Sequence, residues 1–271
     1  MKISAIILTK NEEKNIEWAM KSVAFCDEII IVDDLSTDNT IDIIQNSKLK
    51  TQFNSEIQIF KHDSKDNFAN QRNWAMGKAK NDWVLFVDAD EIISPELKSE
   101  IESSVVSRQS SVCAYYIKRR DFWWGRELRY GEVAKARSKG IIRLVKKGSG
   151  GWQGAVHEEF ITDLSVGQME GFLNHYPHPT LKEFIQDINR YSTIRARELK
   201  KQGKRGSILL ILLYPTAKFI LTYFIYLGFL DGSAGFAYAF LMSFHSFLVR
   251  AKLFQFTRID NSHLKEFRSL D

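Results

Sequence analysis

WVLFVDADEIIS, residues 83–94, decides how this chain is read. Trp83 to Val87 are all apolar, as in a strand buried on both faces. Three carboxylates then arrive within four positions: Asp88, Asp90 and Glu91. Open α/β sheets bind their ligands at the carboxyl ends of their strands. The stretch therefore predicts a strand that ends at a ligand.

Working outward, the pattern repeats. ISAIIL (3–8), EIIIVDD (28–34) and IQIFKH (57–62) read as strands. NEEKNIEWAMKSV (11–23), DNTIDIIQNS (38–47), NFANQRNWAMGKA (67–79) and SPELKSEIESSV (94–105) read as helices, the last with Ser94 as cap and Pro95 at its first position. Strand and helix alternate at short spacing, which predicts an α/β fold with a mostly parallel sheet and flanking helices. Polar residues gather at the strand ends: Thr9, Asn11 and Glu12, then Asp33 and Asp34, then Asp88, Asp90 and Glu91. One such group reads as a helix cap. Three on one sheet edge read as a site. Carboxylates two apart suit Mg2+ or Mn2+, ions that share their coordination with waters and substrate phosphates.

A chain of 271 residues that is 44% hydrophobic and 26% charged can bury a core and is not a disordered composition. Its two cysteines, Cys26 and Cys113, form no CxxC pair, which favours a reducing, cytoplasmic compartment. Net charge is +5. All of that excess sits between Thr180 and Gly206, where eight basic residues face three acidic ones. The remainder is neutral and carries no nucleic-acid motif, which excludes a nucleic-acid partner.

After the basic stretch comes ILLILLYPTAKFILTYFIYLGFL (208–230), then DGSAG (231–235) and FAYAFLMSFHSFLV (236–249). Between Arg205 and Arg250 only Lys218 and Asp231 are charged. The first run is long enough to cross a bilayer, for which about 20 apolar residues suffice, but Pro215 and Lys218 lie near its middle. Two membrane arrangements fit, a hairpin dipping into the bilayer or helices lying in its interface. A helical subdomain packed on the sheet, or a dimer interface, is the water-soluble alternative. Three regions result: a catalytic domain at 1–175, a basic amphipathic linker at 176–206 and a hydrophobic helical region at 207–271.

AIILTKNEE (5–13), IIIVDDLSTDNT (29–40), ANQRNWAMGKAKNDWVLFVDADE (69–91) and GGWQGAVHEEF (150–160) together resemble family 2 glycosyltransferases. The likeness is strongest to the bacterial branch that adds sugars to the lipopolysaccharide core. It implies the GT-A fold, a nucleotide-sugar donor, expected in its UDP form, and a divalent ion. It also implies roles by position. Thr9, Asn11 and Glu12 open the nucleotide pocket. Asp34 reads the base, with Asp33 beside it. Arg72 lies near the donor phosphates, and Asp88 faces the ribose and sugar as part of the catalytic group. Asp90 is the metal ligand. Glu158 is the expected base, Glu159 its substitute, and His157 a metal or phosphate contact. This chain lacks the Glu-Asp pair that many relatives use as base.

Trp152 either stacks on an acceptor sugar or fills the core. RRDFWWGRELRYG (119–131) mixes Arg with Trp123, Trp124 and Tyr130, which suits an anionic acceptor; Trp124 and Arg129 are its candidates, and Arg143 is a further contact for an anionic ligand. The expected activity is inverting, metal-dependent transfer of a sugar, such as glucose from UDP-glucose, to an envelope saccharide such as lipopolysaccharide core, at the cytoplasmic face of the inner membrane. A polyprenyl-phosphate glycosyltransferase is the rival within enzymes. A non-catalytic sugar-nucleotide-binding scaffold is the rival of another class. A nucleotidyltransferase usually has a Gly-rich loop after strand one, where this chain reads TKNEEKN.

Overall fold

The computed structural model describes residues 2–47, 55–106, 111–154, 158–178 and 180–258. The chain divides into two compact units: Met1–Arg129 with Val133–Pro177, and Tyr130–Glu132 with His178–Asp271.

The first unit runs β1 (Ile3–Thr9), α1 (Ile16–Ser22), β2 (Glu28–Asp33), α2 (Thr40–Asn46), β3 (Glu56–Lys61), α3 (Phe68–Met76), β4 (Trp83–Asp88), β5 (Glu91–Ile93) and α4 (Pro95–Val106). It continues with β6 (Ala114–Trp123), β7 (Arg126–Leu128), α5 (Ala134–Ser138), β8 (Ile141–Lys146), β9 (Gly151–Gln153), β10 (Glu159–Ile161) and β11 (Val166–His175). Among the described residues the main sheet has the order β3-β2-β1-β4-β8-β6-β11-β5, with β7 on β6. The first four of these strands are parallel. β8 then runs antiparallel to both β4 and β6, and β5 runs antiparallel to β11.

Alternating side chains build the two faces. Ile7, Ile29, Ile31 and Leu85 pack with Ile16 and Met20 of α1 and Leu97 of α4. Ile6, Ile30 and Phe86 pack on the other side with Trp152 and Phe160. Each such side chain removed from water contributes about 1.5–3 kcal/mol. Registry then aligns the polar ends: Thr9 lies opposite Asp33, and Leu8 opposite Asp88. The three acidic groups read from the sequence thus share one edge.

The helix expected from residue 11 begins at Ile16 instead. Asn11 has a φ of +56°, outside the helical region, and the Glu12 carbonyl accepts from the amides of both Asn15 and Ile16.

The second unit contains α6 (Leu181–Lys201), α7 (Ile208–Phe219), a π-helical turn Ile220–Ile225 that continues it, a 3-10 turn Gly228–Asp231, and α8 (Gly232–Arg258). Thr180 and Glu183 cap α6 reciprocally. Ala196 and Leu199 of α6 cluster with Val249 and Leu253 of α8. The stretch expected to be a linker is therefore an integral part of the helical unit.

α7 and α8 form an antiparallel hairpin. Gly206 abuts Phe254, and Ser243 Oγ donates to the Pro215 carbonyl at 2.5 Å. Phe219 and Tyr223 then meet the Phe236 ring edge-on, and Gly228 abuts Gly235 at the turn. The segment Tyr130–Glu132 is clasped at that turn. The Gly131 amide donates to the Tyr226 carbonyl at 2.8 Å, and the Tyr130 amide to Asp231 Oδ2 at 2.9 Å. Lys218 Nζ pairs with Glu132 at 2.6 Å. A Cβ on Gly228 would stand 2.7 Å from the Thr222 carbonyl oxygen, and one on Gly235 2.1 Å from the Gly228 carbonyl oxygen. Only glycine permits backbones this close.

Candidate functional site

The strand edge carries a chain of alternating charges. Arg72, buried on α3, donates from Nη2 to Asp88 Oδ1 and Oδ2 at 2.9 and 3.1 Å, and from Nε to Glu158 Oε1 at 2.7 Å. Arg143, buried on β8, donates from Nη2 to Asp88 Oδ2 at 2.6 Å and to Glu91 Oε1 at 3.1 Å. Glu91 Oε2 accepts from the Asp88 amide at 2.9 Å, which fixes the bend after β4. Burial opposes the charge on Asp88, but Arg143 and Arg72 outweigh it and hold the carboxyl far below the usual range.

A second run continues from there. His175, the last residue of β11, lies opposite both Glu91 on β5 and Asp121 on β6. Its Nδ1 is 2.6 Å from Asp121 Oδ1, and its Nε2 is 3.2 Å from Asp90 Oδ2. Asp121 also pairs with Arg119 Nη2 at 2.9 Å. Burial and Arg119 oppose a charge on His175, yet the carboxylates of Asp90 and Asp121 prevail and raise its pKa to about 9. Each ring nitrogen thus has a carboxylate partner. Asp90 is lowered in turn, with burial opposing and His175 prevailing.

Local folding explains why Glu158 reaches Arg72. Asn73, the next residue on α3, holds β9 in both directions: Nδ2 donates to the Trp152 carbonyl at 2.9 Å, and Oδ1 accepts from the Trp152 amide at 2.9 Å. β9 pairs with β10, Trp152 opposite Phe160. Gly150 passes so close to the Ile161 carbonyl that a Cβ would lie 2.2 Å from it. The NQRNWA and GGWQ segments are thus one assembly, with Arg72 and Asn73 gripping its two ends. Glu159 stands exposed on β10, and His157 lies outside the described residues. Of the two roles open to Trp152, burial assigns the core one: its ring meets Phe86 and Phe160 edge-on and lies under the Arg72 guanidinium, 5.1 Å from centroid to carbon.

The loops after β1 and β2 are stitched together beside this edge. Asn11 Oδ1 accepts from the Thr37 amide at 2.8 Å, and the Glu12 amide donates to Thr40 Oγ1 at 2.8 Å. Asp33 is buried and accepts from the Ser36 amide at 3.1 Å. Asp34 accepts from the Ser64 amide at 2.7 Å and from Lys10 Nζ at 2.8 Å. Burial opposes its charge; Lys10 and Ser64 still lower its pKa. Thr9 is buried with no hydrogen-bond partner for its hydroxyl among the described residues. Trp124 is exposed and stacked on Trp123, and Arg129 pairs with Glu127 at 3.1 Å.

The donor set bears on a divalent ion. Among the described residues no three His, Cys, Asp or Glu side chains converge as a ready cage. Asp88 is already neutralised by two arginines. Asp90 fits an ion that takes most of its ligands from phosphates and water. Arg72 Nη1 and Arg143 Nε are buried without partners among the described residues, so donors for an anion exist beside it. The RRDFWWGRELRYG stretch includes Arg119 and Asp121, but the sequence reading gave neither a role, and it missed His175, which a long-range strand pairing brings in.

The family model described as Glycosyl transferase family 2 matches residues 4–156. An uncharacterized glycosyltransferase of Rickettsia typhi is 30% identical over 266 residues, covering 93% of this chain and 86% of that protein. The lipopolysaccharide core biosynthesis glycosyltransferase LpsC of Rhizobium meliloti is 28% identical over 258 residues, covering 93% and 92%. Among solved structures, the mannosyltransferase PcManGT from Pyrobaculum calidifontis, in complex with GDP-Man and Mn2+, matches with a TM-score of 0.55 at 15% identity, covering 93% of this chain and 86% of that chain. That likeness carries the fold, which resembles the GT-A arrangement expected from the sequence.

Proposed function

This chain belongs to the family 2 glycosyltransferases, and from that premise we propose that it transfers a sugar, with inversion, from a nucleoside-diphosphate sugar to a saccharide of the cell envelope. The observation that carries this reading is the Arg72 guanidinium, shared between Asp88 and Glu158 at the strand edge. The proposed donor is UDP-linked, and the acceptor is a lipopolysaccharide core saccharide, as the relationship to LpsC supports. Asp90 would hold a Mg2+ or Mn2+ ion, which supplies positive charge to the leaving diphosphate.

The chain's own residues do the rest. An incoming diphosphate competes with Glu158 for Arg72, whose Nη1 is already unpartnered among the described residues. Once Arg72 turns to the phosphates, Glu158 is released. It then takes the proton of the acceptor hydroxyl, whose oxygen forms the new bond to the anomeric carbon as the bond to the diphosphate breaks. Donor binding thereby arms the base. Asp33, Asp34, Thr9, Asn11 and Glu12 form the nucleotide end of the site, and Trp124 and Arg129 remain the acceptor candidates. The helical unit holds the enzyme at the cytoplasmic face of the inner membrane, where such acceptors are assembled.

A second reading has an observation of its own. Glu158 already has an ion-pair partner, as a purely structural residue would. If the acceptor is a lipid phosphate, no strong base is needed. Glu158→Gln separates the two readings. Loss of roughly a hundred-fold or more in turnover, with UDP affinity kept, supports the saccharide acceptor. Retained turnover with a polyprenyl phosphate supports the rival. UDP-sugar that binds but is never turned over would support the scaffold reading.

A further inference from the structure

The helical unit exposes what proteins usually bury. Of the segment Ile208–Ile225 only 6% is buried, and both this segment and Gly228–Arg258 are long and apolar enough to cross a membrane. Leu212, Leu213 and Ile225 on one arm are exposed, as are Phe236, Phe240 and Phe244 along one face of the other. A continuous apolar surface of this kind marks an interaction site. Its charge surroundings indicate the partner. Lys200, Lys201, Lys204 and Arg205 are all exposed at the open end of the hairpin. Lipid headgroups of negative charge complement them.

We propose that the α7–α8 hairpin lies flat in the interface of an anionic bilayer and does not cross it. This rests on the membrane reading above and fixes its geometry. The hairpin is tied to polar chain at both ends. At the open end, α7 follows the basic helix α6 directly. At the turn, Tyr130–Glu132 is clasped by Tyr226, Asp231 and Lys218. The residues on either side of that strap, Arg129 and Val133, belong to the sheet unit. Carrying the turn across about 30 Å of hydrocarbon would carry the strap and its flanking peptide with it. The same clasp accounts for the two charges that interrupt the apolar sequence. Lys218 and Asp231 are spent on the strap and are not presented to lipid. The aromatic side chains left outside suit the headgroup boundary.

The test is depth measurement on the full-length protein. Leu212→Cys, Ile225→Cys and Phe240→Cys each carry a nitroxide label and are mixed with vesicles of phosphatidylethanolamine and phosphatidylglycerol. The native thiols do not interfere, since Cys26 and Cys113 are both buried, and burial pushes the Cys26 thiol up. All three labels at one shallow depth, with the protein released from the vesicles by alkaline carbonate, is the expected result. A label at Phe240 near the bilayer centre with one at Ile225 near the far leaflet overturns the flat geometry while keeping the membrane reading. Failure of the unlabelled protein to float with vesicles, with self-association in solution, overturns both and makes the apolar face a contact between copies. Phe240→Glu is expected to weaken vesicle binding about ten-fold with donor hydrolysis unchanged; unchanged binding counts against the face as assigned.

Discussion

In the sheet unit several charged side chains are inside. Arg72, Arg143, Glu91 and Asp121 are buried, each beside an opposite charge. In the helical unit many large apolar side chains are outside, with Phe240 56% exposed and Ile225 63%. Each inversion costs stability on its own. A buried charge is tolerated because its neighbour neutralises it. An exposed apolar face is tolerated where a partner covers it. Under the proposed function, one region takes a small anionic ligand and the other a lipid surface. The lesson is that the two halves announce their ligands by opposite departures from the same rule.

The sharpest way to break the comparison is at Asp90. Asp90→Asn should lower metal-dependent donor turnover by roughly a hundred-fold or more, and abolish the gain in UDP affinity that Mn2+ gives in calorimetry. Full activity would remove the ion from the account. Arg72→Ala tests whether the charges are mutually supporting. It strands Glu158 and leaves Asp88 to Arg143 alone, and should destabilise the protein by about 2–4 kcal/mol in denaturant unfolding, the lower end reflecting their partial exposure. An Arg72→Ala variant as stable as the parent would mean that the pairs contribute little.

On the other side, Asp231→Ala should cost about 1–3 kcal/mol by leaving the Tyr130 amide without its acceptor. Faster protease cleavage near Tyr130 is the readout, and an unchanged cleavage pattern would deny the clasp its role. The smallest effect concerns acid. The folded pKa of Asp34 is depressed, so its contribution to stability is present above the unfolded carboxylate range and is lost as pH falls through the folded value. Asp34→Asn should therefore flatten the acid limb of the stability profile slightly, the partner Lys10 being 37% exposed.

The parallel half of the sheet was legible because its strands are uninterrupted apolar runs. Their ends were legible because charges stop those runs abruptly. Asp88 and Arg72 could be named because each sits in a motif around its own strand or helix. His175 could not. It closes β11, and its partners Asp90 and Asp121 are supplied by β11 pairing with β5 and β6, a long-range register that no local pattern encodes. Trp152 stood open between two roles because an aromatic beside a loop reads the same whether it faces the core or a sugar. The basic stretch read as a linker because its apolar stripe had no visible partner. That partner, Val249 and Leu253, lies far along the chain.

The strap also sets an order of events. The contact between Tyr130 and Asp231 joins residues 101 positions apart, and contacts of such separation form late. During synthesis from the amino terminus, the sheet strands through β7 and the strap itself emerge before any of the hairpin. The most exposed apolar stretch of the described chain is thus made after the peptide that will receive its turn.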